Sequence, residues 1–163
     1  MDFRSLYSAL HKSKKTLENI FISVSEAFRG DVYRKPLGTF SDFLYLKRLR
    51  VPDIVMMGKP ESLDVNGPHY DWTDFRPMSS LIQLLPPNLE CLFLTSEFVG
   101  FSDSTEFLWE FARNLNQLPR LRSFGLVGGR NGSFARLSEE LAKRSIDFTE
   151  SDSAPNGEWL GMS

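Results

Sequence analysis

The chain has 163 residues, a formal net charge of −2, 25% charged against 41% hydrophobic residues, 14 Phe and one cysteine, Cys91. That length allows one domain with a real core, and the balance excludes a disordered, collagen-like or broadly polybasic chain. A lone cysteine excludes an internal disulfide or a multi-cysteine zinc site, and no apolar run approaches the roughly 18 residues that span a bilayer.

Single-cysteine usage suits a reducing compartment. The start MDFRSLYSALHKSKK lacks the unbroken apolar stretch of a secretion signal, so a cytoplasmic or nuclear location is expected.

In chain order, Leu6, Tyr7 and Leu10 have helical spacing and predict a first helix. TLENIFIS follows, with Leu17, Ile20 and Ile22 apolar, and predicts a strand. GTFSDFLYL reads as a single turn before a second strand in YLKRLRVP, with Leu46, Leu49 and Val51 apolar. Residues 53–77 form a long insertion with three Pro, two Gly and the aromatics Tyr70, Trp72 and Phe75. Loops of that length in compact domains are functional or disordered.

Met78, Leu81, Ile82 and Leu85 predict a short helix stopped by Pro86 and Pro87, and NLECLFLT a third strand through Leu89, Leu92 and Leu94. Residues 104–117 carry a helical apolar face of Phe107, Leu108, Phe111, Ala112 and Leu115. Asp103 and Glu106 have capping-box spacing at its start, and Pro119 stops it. RLRSFGLV predicts a fourth strand through Leu121, Phe124 and Leu126. Phe134, Leu137 and Leu141 predict a last helix capped by Ser133, and SIDFTE keeps Ile146 and Phe148 of a degenerate fifth strand. Residues 151–163 read as a polar tail.

The strands share one pattern, L-x-x-L-x-L. At its middle apolar position, successive spacings are 29, 43, 32 and 22 residues. The last two apolar positions lie two apart, the period of a strand that points alternate side chains into a core. Strands alternating with helical segments imply parallel pairing through crossovers. Units of this length, each touching its neighbours, predict an α/β fold: a short leucine-rich-repeat-like solenoid over residues 1–150, with a curved parallel sheet and helices on its convex side. A doubly wound sheet would need strands buried on both faces. Here the outward positions are mixed: Asn19, Phe21 and Ser23; Arg48 and Arg50; Cys91, Phe93 and Thr95; Ser123 and Gly125.

The phrases LGTFSDFLYLKRLRVP, LIQLLPPNLECLFL and LPRLRSFGLVGG resemble the leucine-rich repeats of fungal F-box-type proteins, over about residues 1 to 150. The resemblance implies the repeat fold and protein binding: in that family an F-box engages a ubiquitin-ligase adaptor while the repeats select a substrate. No F-box-like stretch is found in these residues, so the ligase connection does not carry over. The start directly at a helix and the first repeat strand implies a fragment or a short relative.

Few residues offer chemistry. His11 and His69 stand in different segments and give no zinc-ligand spacing. His69, beside Tyr70, Asp71 and Asp74, or Cys91 on the open face would serve a small hydrolase or transferase, the alternative function, if a base activated the nucleophile. GLVGGRNGS at 125–133 lies between strand and helix, where glycines can cradle a phosphate. It lacks P-loop and dinucleotide spacing, and a tight turn explains it equally.

Charge is blocked along the chain. Residues 1–50 carry ten Lys/Arg against five Asp/Glu, residues 51–110 two against ten, and residues 111–144 seven against two. Such blocks are either solvated faces or a polarised surface that steers a partner. Basic and aromatic residues together serve nucleic-acid stacking or protein hot spots. With a negative net charge the protein-binding reading leads.

The expectation is therefore a non-catalytic interaction module with no cofactor, no metal, and neither nucleic acid nor membrane as partner. A protein partner would contact Asn19, Phe21, Arg48, Arg50, Cys91 and Phe93 on the open face, helped by Tyr70 and Trp72. The first strand, near Ile20 to Val24, would be an edge open to self-association. Exchanging Arg48 and Arg50 together for Glu should then abolish partner capture without loss of stability.

Overall fold

The computed structural model of the chain describes residues 3–23, 38–52, 55–56, 80–95, 105–127 and 134–151. Its centre is one five-stranded sheet: β1 (Asn19–Phe21), β2 (Arg48–Pro52), β3 (Cys91–Thr95), β4 (Ser123–Val127) and β5 (Asp147–Ser151). The strands lie in sequence order and every neighbouring pair is parallel. The order never reverses, so the sheet has no switch point of the kind at which doubly wound folds bind ligands.

Register follows the apolar pattern. Ile20 lies beside Leu49, Leu49 beside Leu92, Leu92 beside Phe124 and Phe124 beside Phe148. A slip of one residue would turn this whole row to the other face, so its burial fixes the register strongly. The fifth unit aligns on Phe148, 24 residues after Phe124, and not on Ile146, which the spacing of 22 implied. A shift of two keeps the same face, which is why the pattern alone could not distinguish them.

Each strand is also tied to the last at its start. The Lys47 and Arg48 N–H groups donate to the Glu18 carbonyl, those of Glu90 and Cys91 to the Lys47 carbonyl, and those of Arg122 and Ser123 to the Glu90 carbonyl, at 2.7–3.2 Å. Asp147 N–H donates to the Arg122 carbonyl at 2.8 Å.

The described helices are α1 (Phe3–Lys12), α2 (Leu81–Leu84), α3 (Glu106–Arg113) and α4 (Ala135–Ala142), with a 3-10 turn at Leu115–Gln117. Leu81 and Ile82, then Phe107, Leu108, Phe111 and Ala112, then Leu137 and Leu141 join the inward strand residues in one apolar cluster. Leu6, Tyr7 and Leu10 of α1 pack against it. All four helices therefore cover the same face. Aromatic rings bind these layers: Phe111 of α3 sits 4.9 Å from Phe124, which lies 6.1 Å from Phe148, itself 5.9 Å from Phe134.

Before β2 the chain makes two successive hydrogen-bonded turns, Phe43 N–H to Phe40 carbonyl and Leu46 N–H to Phe43 carbonyl, where the GTFSDFLYL segment implied one. Phe40 N–H donates to the Leu84 carbonyl at 2.8 Å, and the Asn88 amide to the Leu44 carbonyl at 2.8 Å, so α2 holds this turn in place. Tyr7 of α1 closes over it: its hydroxyl donates to the Thr39 carbonyl at 2.7 Å. Gly38 sits under the Tyr7 ring at φ +136, where an added Cβ would meet the ring at 2.8 Å.

Helix starts differ from expectation. α3 begins at Glu106 after Thr105, which is extended and buried, and not at Ser104 after an Asp103 cap. The position before α4 is Phe134, not Ser133. In both, the residue before the helix is buried, Thr105 as a polar side chain and Phe134 within the apolar cluster, and neither start follows the capping motif. α3 ends at Arg113, and its apolar face continues through buried Leu115 on the 3-10 turn before Pro119.

The insertion 53–77 is not wholly a loop: Val55 and Met56 are buried in the core cluster. Its remaining residues, including His69, Tyr70, Trp72 and Phe75, lie outside the described ones, as do Val24, the glycines of 128–133 and the tail from 152.

Candidate functional site

The face away from the helices is built by the residues between the inward ones. Parallel register gathers them into transverse rows. Asn19, Arg48, Cys91, Ser123 and Asp147 form the first; Phe21, Arg50, Phe93, Gly125 and Thr149 form the second. Six expected contact residues, Asn19, Phe21, Arg48, Arg50, Cys91 and Phe93, thus stand side by side on β1, β2 and β3.

Their exposures differ sharply. Asn19 is exposed, Phe21 is 52% exposed, and Arg48 and Cys91 are half-buried. Arg50 is only 7% exposed and Phe93 is fully covered, so these two are not the open surface that alternation implied. The reason is partly local. The Phe93 ring lies down over β4, where Gly125 leaves room for it: a Cβ on Gly125 would stand 2.1 Å from the Phe93 Cδ2 atom. A glycine inside a strand often marks such a close approach.

Arg50 stands between the two rings. Its guanidinium carbon is 4.5 Å from the Phe21 ring centre and 5.1 Å from that of Phe93. Each such contact contributes about 0.5–2 kcal/mol, more as water is excluded. Burial pulls the Arg50 side chain below its usual pKa, yet an arginine stays charged throughout the physiological range. The stack is ring, cation, ring, glycine, running across four strands. Its outer end, Phe21 on edge strand β1, is the exposed one.

Cys91 lies between Arg48 and Ser123 in the first row. Burial pushes its thiol above the ordinary value; Arg48 pulls it down, Glu90 raises it and Arg122 pulls it down. The net is a protonated thiol at neutral pH, a weak nucleophile. Among the described residues no group of three or more His, Cys, Asp or Glu could hold a metal ion, and no helix is long and apolar enough to cross a membrane.

His11 lies away from this face, on α1. Its Nε2 is 3.0 Å from Asp42 Oδ2, which also receives a hydrogen bond from Lys14. That bond chiefly holds the Asp42 carboxyl below its ordinary value, against partial burial and with help from His11. The Tyr7 hydroxyl is raised by burial and by the Asp42 charge. The cluster ties α1 to the turn before β2.

One feature of the strand starts escaped the pattern reading. The residues whose carbonyls link successive strands are Glu18, Lys47, Glu90 and Arg122, alternating in sign, and Lys47 Nζ reaches Glu18 Oε2 at 3.0 Å. The signal was present in the aligned repeats, one residue before each strand. Leu44 and Tyr45, both 57% exposed, add an apolar pair at the turn before β2. No known protein family, curated protein or solved structure matches this chain.

Proposed function

We propose that the chain is a short leucine-rich-repeat-like solenoid that acts as a non-catalytic protein-recognition module, binding its partner on the sheet face away from the helices. The observation that carries this reading is the outward row on β1 to β3: exposed Phe21 ends a buried Arg50–Phe93 stack, with Arg48 and Asn19 beside it. Aromatic and arginine side chains held rigid by their neighbours are the types that anchor protein interfaces, because little freedom remains to be lost on binding. Phe21, Arg48, Asn19 and Cys91 supply the contact surface, and Arg50 and Phe93 hold Phe21 in place from beneath.

The repeat phrases support a relation to the substrate-selecting repeats of F-box-type proteins, and with it a cytoplasmic or nuclear setting. Edge strand β1 supports a second mode of contact, pairing with another strand. A hydrolase or transferase built on Cys91 has weaker support, since its thiol is held protonated.

The test is affinity capture from the native host with the parent chain and with a Phe21→Ser, Arg48→Glu variant. The parent should retain a defined protein that the variant loses while still unfolding cooperatively, a few degrees lower for the missing Phe21–Arg50 contact. Equal capture by both would remove this face from consideration.

A further inference from the structure

The turns that lead into the strands repeat as closely as the strands themselves. Two residues before β2, β3, β4 and β5, the N–H groups of Leu46, Leu89, Leu121 and Ser145 donate to carbonyls three residues back, at 2.9–3.2 Å. A turn from Ser13 to Thr16 precedes β1. All five strands are parallel, so these turns line one edge of the sheet. The Asn88 amide on the Leu44 carbonyl joins two of them directly, at 2.8 Å.

The two middle residues of each turn form its tip. Leu44 and Tyr45 are each 57% exposed, and Pro87, Pro119 and Arg120 are exposed beside them. No tip carries an Asp or Glu. Lys14 is paired with Asp42, and Lys143 and Arg144 are neutralised by Glu139 and Glu140. Lys15 and Arg120, with Lys12 at the end of α1, are exposed and form no ion pair among the described residues. The rows behind the tips, Glu18, Lys47, Glu90 and Arg122, then Arg48 and Asp147, each balance. The edge therefore keeps a positive excess that the net charge of −2 conceals.

From this edge we infer that the chain rests on an anionic lipid bilayer, with Leu44 and Tyr45 entering the headgroup layer and Lys12, Lys15 and Arg120 meeting its negative charge. Leu44 supplies aliphatic surface, and Tyr45 a ring with a polar tip, the type enriched where a bilayer meets water. Their turn is already hydrogen-bonded, so little order is lost on contact. One shallow apolar tip and three cations give weak, reversible attachment that depends on anionic lipid. A protein partner would need a pocket for the two side chains and acids opposite separate turns. A fluid anionic surface supplies both anywhere on its plane. Nucleic acid fits less well, because Leu44 has no ring face for a base and Tyr45 is the one aromatic at the tips.

The full chain is sedimented with vesicles of phosphatidylcholine alone and of an equal mixture of phosphatidylserine and phosphatidylcholine. It should bind the mixed vesicles, release as salt rises, and stay in solution with phosphatidylcholine alone, a comparison that needs no variant to fold. A Lys15→Gln, Arg120→Gln variant and a Leu44→Ser, Tyr45→Ser variant should each bind at least about tenfold less. The Phe21→Ser chain should bind as the parent does, which separates this edge from the sheet face. Equal binding to both kinds of vesicle, no binding to either, unchanged affinity in either folded variant, or release by a single-stranded RNA at constant salt would each overturn the inference.

Discussion

Leu92 and Phe93 are adjacent on β3 and both are fully buried, yet on opposite faces of the sheet and for different reasons. Leu92 lies in an all-apolar row, Ile20, Leu49, Leu92, Phe124 and Phe148, roofed by helices. Phe93 lies in a mixed row, against Gly125 on one side and the Arg50 guanidinium on the other. Alternation decides which face a side chain joins; the size of its neighbours decides whether water reaches it. The inward row holds the fold together, and the outward rows leave Asn19 and Phe21 exposed and Arg48 half-buried while covering Arg50 and Phe93.

Substitutions in the inward row should cost most. Phe124→Ala removes a ring packed between Phe111 and Phe148 and should lower the unfolding free energy by about 3–5 kcal/mol in denaturant titration. A loss as small as that of a surface change would place Phe124 outside a shared core.

The next largest effect should come from Gly125→Val, whose Cβ would occupy the space of the Phe93 ring. Overpacking of this kind costs about 1–3 kcal/mol. In a double-mutant cycle, Phe93→Ala should absorb most of that cost, because the residues compete for one volume. Strict additivity would mean that the ring does not lie on Gly125.

The two arginines of β2 sharpen the contrast. Arg50→Glu would bury a carboxylate between two ring faces and should destabilise the chain by about 1–3 kcal/mol. Arg48→Glu, half-exposed, should stay within about 0.5 kcal/mol of the parent. Their joint exchange, which alternation presented as harmless to stability, therefore does not separate binding from folding. Phe21 with Arg48 is the informative pair.

The smallest effect is one of pH. Asp42 titrates below its ordinary value of 3.8 in the folded chain, so its stabilisation is complete above that value and is lost as pH falls through the lower folded one. The side chain is 42% exposed, so solvent screens much of the effect. Asp42→Asn should make the melting temperature fall less steeply below about pH 4 than in the parent, with little difference at neutral pH. Parallel acid limbs would remove Asp42 from the link between α1 and β2.

The strand register was legible because Leu49, Leu92 and Phe124 recur in one apolar phrase, and a buried row admits no slip by one. The helices were legible wherever apolar spacing was long, as in Phe107 to Leu115. What escaped depends on three-dimensional neighbours. Nothing in RLRVP or CLFLT says that Arg50 and Phe93 are covered. That follows only once Gly125, more than thirty residues beyond Phe93, is seen beside it. The residues before α3 and α4 are likewise set by burial that the cap motifs do not reveal: Thr105 is a buried polar residue and Phe134 belongs to the apolar cluster.

Nuclear magnetic resonance mapping of the isotopically labelled chain against its captured partner tests the division between the faces most directly. Shift changes should cluster on Asn19, Phe21, Arg48 and Cys91 and leave the helices α3 and α4 quiet. Changes confined to the helical side, with the Phe21 and Arg48 signals unmoved, would contradict it.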